Sequence, residues 1–102
     1  MNMQQMMKQA QKMQKQLADA QDKLGQIEVS ASAGGGLVKV TGTADMRITS
    51  VAIDPAALDP EDVDLLQDTV VAAVNECLSS AKEAANRKLG AVTGGMSMPG
   101  LF

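Results

Sequence analysis

Apolar residues recur along the start of the chain at alternating steps of three and four: Met3, Met6, Ala10, Met13, Leu17, Ala20, Leu24 and Ile27. That spacing is a heptad seam running through about four repeats, set among Gln, Lys and Ala, which all suit a helix. It predicts a long amphipathic helix from about Asn2 to Leu24, with Gly25 where a helix terminator belongs. The period then drops to two. Ile27, Val29 and Ala31 alternate with Glu28, Ser30 and Ser32, the pattern of a half-buried strand. Gly34-Gly35-Gly36 reads as a turn, Leu37 to Thr41 as a second strand, and Met46 to Ile53 as a third, rich in β-branched residues.

Asp54-Pro55 closes this sheet. Asp59-Pro60-Glu61-Asp62 then supplies the elements of a helix start: a capping carboxylate, proline at the first helical position, and acids in the first turn. Val63, Leu66, Val70, Val74, Cys77, Ala81 and Ala84 carry the helical period to about Leu89. From Gly90 onward, Gly94, Gly95, Pro99 and Gly100 give the composition of a flexible tail, which also carries Met96, Met98, Leu101 and Phe102. The expected architecture is α+β: a long N-terminal helix, a three-stranded antiparallel sheet and a long C-terminal helix. These form one domain over residues 1–89, with 90–102 as the tail.

Composition adds a reason to expect a homodimer. Hydrophobic residues make up 45% of the chain, yet the single aromatic is Phe102. A core of Val, Ile, Leu, Ala and Met is thin, and pairing two chains completes it more readily than folding alone. The chain has no histidine and one cysteine, Cys77. It therefore lacks an ordinary zinc set and a Ser-His or Cys-His nucleophile pair, so no metal, cofactor, small-molecule substrate or catalytic residue is expected. A lone cysteine fits a reducing compartment, and the chain shows neither a membrane span nor a signal peptide. The expected location is the cytoplasm.

Charge is unevenly placed. Residues 1–24 carry +2, residues 25–81 carry −7 and residues 82–102 carry +2, within a net charge of −3. With Met3 at heptad position a, Lys8 and Lys15 fall at f and Lys12 at c, so the three form a stripe facing away from the apolar seam. Such a stripe is either a solvated helix face or a row of phosphate contacts, since each lysine that neutralises a phosphate releases a counterion. The chain has no Tyr, Trp or internal Phe to stack on bases, so a nucleic-acid partner is expected to be duplex, held by its backbone. The triple glycine lacks the Lys-Ser/Thr ending of a phosphate loop, and the acids near Asp59 lack calcium-loop spacing.

Several segments in order carry a family likeness: Met6-Met7-Lys8-Gln9-Ala10-Gln11-Lys12-Met13-Gln14, Gly36-Leu37-Val38-Lys39-Val40, Val51-Ala52-Ile53-Asp54-Pro55, Ala73-Val74-Asn75-Glu76, and the Gly-Met-rich tail. The chain resembles the YbaB/EbfC family of small bacterial nucleoid-associated proteins. Ala44 stands where the family often has glycine, and Thr49-Ser50 where relatives often carry basic residues. The resemblance implies a homodimer joined through its strands with helices projecting as arms, double-stranded DNA as partner, a place in the nucleoid, and no catalytic activity. It places phosphate contacts at Lys8, Lys12 and Lys15 and at Arg87 and Lys88 of the last helix. The acidic balance supports a different reading, a dimeric scaffold that binds another protein through its helices and Met-rich tail.

Overall fold

A computed structural model of the protein describes residues 2–93, with side chains for 2–90. The element order is α1 (Met3–Leu24), β1 (Glu28–Ala33), β2 (Val38–Thr43), β3 (Arg47–Ile53), a 3-10 turn (Pro55–Ala57) and α2 (Val63–Thr93). The strands form one antiparallel sheet in the order β1-β2-β3, which makes the fold α+β. Asn2 caps α1 by accepting the Gln5 backbone N–H, and Gly25 follows the last helical residue in a right-handed conformation.

Three details depart from the periodicity. Asp62 caps α2 by accepting the Leu65 N–H, whereas Asp59 accepts the Glu61 N–H in a separate turn. Pro60 therefore lies in the turn before the helix, and the expected cap at Asp59 moves three residues along. Val63, expected on the buried stripe, is half exposed. α2 also runs through Gly90 to Thr93 instead of ending near Leu89. One glycine in a long helix costs only about 1 kcal/mol against alanine, so packing of the preceding turns carries the helix past it. Residues 90–93 of the tail expected for 90–102 are thus helical, and 94–102 lie outside the described residues.

Between β1 and β2, Gly34, Gly35 and Gly36 all take positive φ (65°, 69° and 92°). Only glycine adopts three such angles in succession without steric cost, so the hairpin reading of this triplet holds. Between β2 and β3, the positive angle falls on Met46 (φ 67°) and not on Ala44. Ala44 is buried against Leu24 and Ala84, and its N–H donates to the Ile27 carbonyl. Alanine at this position therefore contributes its methyl group to the core.

The pairing of β2 with β3 slips by one residue between Thr41 and Gly42, leaving Thr49 as the extra residue of β3. The Thr49 hydroxyl donates to the Thr41 carbonyl at the bulge. The bulge resolves an irregularity in the sequence: Ile48 and Val51 are three apart, yet both pair with helix-facing residues, Gly42 and Val40.

The core lies where α2 crosses β1 and β2. Val38, Val40, Ala73 and Cys77 are fully buried there, flanked by Val29, Leu66, Val70 and Val74. Small side chains on α2 let it approach the sheet closely, and Gly42 takes this furthest. A Cβ at Gly42 would lie 3.3 Å from the Cys77 sulfur and 2.6 Å from the Arg47 carbonyl oxygen. Burial pushes the Cys77 thiol above its ordinary pKa, because the thiolate loses its hydration there. The folded chain then keeps this proton when the unfolded chain releases it. Cys77 thus contributes stability that is complete below about pH 8.5 and falls as the pH rises further. Thiol reagents at pH 8 are expected to leave the native protein unlabelled and to react fully once it is denatured; fast native labelling would mean this packing opens readily.

Candidate nucleic-acid interface

α2 starts beside the sheet, crosses it and continues outward, while α1 runs inward and ends at Leu24. Leu24 packs with Ala84, joined by Ala85 and Ile27. The two helices are therefore antiparallel, and they overlap only along the outer part of α2. Ala84 lies about 32 Å along α2, and the 22 residues of α1 add about 33 Å. Their sum agrees with the longest dimension of the molecule, 70 Å. Burial along α1 follows the same geometry. Leu24 and Ala20 are buried, Leu17 and Met13 are half-buried, and every residue from Asn2 to Lys12 is exposed. The molecule is thus a sheet-bearing body with a projecting two-helix arm whose tip is α1 alone.

All five cations expected from the sequence lie on this arm. Lys8, Lys12 and Lys15 are exposed on α1, within two turns of one another, and spread over about 10 Å at and near the tip. Arg87 is exposed and Lys88 half-buried on the outer part of α2, nearer the body. The fold gathers these groups on one arm but not into one compact patch. It also adds two exposed lysines that sequence reasoning did not single out, Lys23 and Lys82. The contact of Leu24 with Ala84 puts both near the base of the arm. Only the antiparallel pairing could have revealed them, because they are 59 positions apart in sequence.

The charges segregate along the long axis. The arm segments 2–24 and 82–93 together carry +4, and residues 25–81 carry −7. Five of the nine acids in that body segment lie between Asp59 and Asp68, at the start of α2 and far from the tip. The long axis therefore carries a positive field along the arm and a negative one at the acidic end. Among the described residues no cluster of His, Cys, Asp and Glu could hold a metal ion, and no helix is long and apolar enough to cross a membrane.

The sequence model of the YbaB/EbfC DNA-binding family matches residues 1–96. The chain belongs to this family. It is a DNA-binding family and not a family of enzymes. A protein of Alkaliphilus metalliredigens named nucleoid-associated protein is 50% identical over 101 residues, covering 99% of this chain and 89% of its own length. One of the same name from Moorella thermoacetica is 52% identical over 99 residues, covering 97% of this chain and 95% of its own. The crystal structure of an uncharacterized Helicobacter pylori protein superposes with a TM-score of 0.75 at 24% identity, covering 92% of this chain and 97% of that one. That likeness concerns the fold. The two chains thus share this fold at low sequence identity.

Proposed function

We propose that this YbaB/EbfC protein is a nucleoid-associated, non-enzymatic DNA-binding protein. It grips duplex DNA by its phosphates through the basic arm, with little sequence preference, and acts as a homodimer. The carrying observation is the separation of charge, +4 on the arm against −7 on the body. An overall acidic chain gains a polyanion-binding surface only by such segregation. Lys8, Lys12 and Lys15 are exposed and free of ion pairs among the described residues, so they exchange only counterions for phosphates. The arm carries no aromatic side chain for base stacking, which favours backbone contacts over base contacts.

The uncovered side of β3 supports the homodimer. Val51 and Ile53 pair with the buried Val40 and Val38 and so face the helix side of the sheet, yet they are 45% and 40% exposed. α2 covers β1 and β2 and leaves this strip open. Next to it lies an apolar groove of about 380 Å³, lined by Leu37, Ala57, Leu65 and Leu66 among others. The chain exposes 7505 Å², where a compact domain of its mass exposes about 5,500 Å². The projecting arm accounts for part of this excess, and a second copy seated on the open strip would remove more of it. A second copy seated here would complete the thin core and present two basic arms.

The deciding experiment is duplex-DNA binding by the purified protein across a salt series, with single-stranded DNA in parallel. Duplex preference and a steep linear fall of log affinity with log salt support the proposal, and the slope counts the phosphates neutralised. No binding at low salt would overturn it and turn attention to a protein partner. Light scattering on the same samples is expected to give twice the chain mass, and Val51→Asp with Ile53→Asp is expected to shift it to the monomer. A monomeric parent protein would remove the homodimer.

A further inference from the structure

Two apolar surfaces lie at opposite ends of the molecule, uncovered among the described residues. At one end Met3, Met6 and Met7 are 79%, 57% and 60% exposed, and Ala10 is exposed beside them. They continue the heptad seam that buries Ala20 and Leu24 further in. At the other end is the groove of about 380 Å³ lined by Leu37, Ala57, Leu65 and Leu66 among others. Leu65 is 62% exposed there, and Leu58, next to Ala57, is 60% exposed. No residue of β3 lines this groove, so it is a separate surface from the strip of Val51 and Ile53. Contiguous exposed apolar surface of this kind marks a site of interaction.

We propose that the α1 tip of one copy docks in the groove of another, a head-to-tail contact. Distance rules out the same chain as occupant. The groove lies at the start of α2 and the tip at the far end of the arm, in a molecule 70 Å long. α1 is one unbroken helix whose inner end is held by Leu24 against Ala84, so its tip cannot turn back to the body.

Charge selects the pairing. Residues 2–16 at the tip carry Lys8, Lys12 and Lys15 and no acid, whereas residues 54–69 around the groove carry six acids and no cation. The N-terminus of α1 adds the positive end of its helix dipole to the tip. Two tips repel each other, and so do two grooves; only tip against groove brings opposite signs together. The lysines lie on the side of α1 away from the methionines, so they act through the field, over about 14 Å at 50 mM salt. The apolar side chains make the contact itself. The groove is at the small end of the ~300–1,000 Å³ range of binding pockets, so it takes a few side chains and not a whole helix face. Methionine, unbranched and flexible, suits such a gap. Each copy gives one tip and receives another, so the contact is heterologous and links copies into a ring or an open chain. It requires neither DNA nor the symmetric homodimer.

Sedimentation velocity at about 50 mM salt tests this. The mean mass is expected to rise with protein concentration beyond the twofold chain mass of the dilute protein. It should fall back near 1 M salt, where the Debye length is about 3 Å. Met3→Gln with Met6→Gln, and separately Leu65→Gln, are each expected to weaken this association about tenfold or more. These side chains are exposed and glutamine suits a helix, so both variants should stay folded. Mixing the two variants is expected to restore association, because one keeps the tip and the other keeps the groove. Val51→Asp with Ile53→Asp should leave the rise with concentration in place, starting from single chains, which separates this contact from the homodimer. A nitroxide on Leu58→Cys, in a Cys77→Ala background, is expected to broaden the Met3 and Met6 methyl signals of separately isotope-labelled chains mixed with it. A mass that does not grow with concentration would overturn the proposal. So would growth that the tip and groove variants leave unchanged, a mixture of the two that stays unassociated, or methyl signals that stay sharp.

Discussion

Replacing Lys8, Lys12 and Lys15 together with glutamate is expected to abolish duplex-DNA binding at 50 mM salt while leaving the fold intact. Each chain changes by six charges, which turns the arm from +4 to −2. If each of these lysines neutralises one phosphate, a dimer contributes six, giving a salt slope near −5 and roughly a thousandfold loss of affinity between 50 and 200 mM. Removing them and adding six repulsive carboxylates should cost at least that thousandfold at the lower salt. All three side chains are exposed and none is in the core, so the melting transition should move by no more than about 0.5 kcal/mol allows. Lys39→Glu is the matched control. Lys39 is exposed on β2, on the face of the sheet away from α2, and its reversal should alter affinity only slightly beyond the Debye length of about 14 Å at this salt. A triple variant that binds with the parent slope would show that the interface lies elsewhere.

The largest stability effect is expected at Gly42. Alanine normally gains about 0.5–1 kcal/mol over glycine within a strand. Here its Cβ would meet the Arg47 carbonyl oxygen at 2.6 Å, closer than real Cβ atoms approach, and the Cys77 sulfur at 3.3 Å. The oxygen belongs to backbone beside the Thr49 bulge, so relief requires movement of β3 or of α2. Overpacking of this kind costs about 1–3 kcal/mol, which outweighs the propensity gain. At about 2 kcal/mol, Gly42→Ala should lower Tm by roughly 10 °C. The comparison must be made at equal protein concentration, because association shifts Tm by mass action. Adding Cys77→Ala should recover little, since the closer clash is with backbone. An unchanged Tm would mean that the bulge yields at almost no cost.

Much of the fold was readable along the chain. The seam of Met13, Leu17, Ala20 and Leu24, the alternation of Val29 and Ala31 with serines, and the triple glycine are local signals, each confined to a few neighbouring residues. The sequence therefore determined the number, order and kind of the elements, and it placed Lys8, Lys12 and Lys15 on one face, because a heptad register assigns faces before any tertiary contact forms. The rest depended on contacts between distant residues. The bulge at Thr49 arises because Ile48 and Val51 must both turn toward α2. Asp62 displaces Asp59 as cap because the helix begins only where Leu66 and Val70 meet the sheet. The pairing of Leu24 with Ala84, 60 positions apart, decides which half of the seam is covered and brings Arg87, Lys88, Lys23 and Lys82 onto the same arm as the tip lysines. Local periodicity sets which side of a helix is apolar; only the packing of the whole chain sets how far along that side a partner reaches.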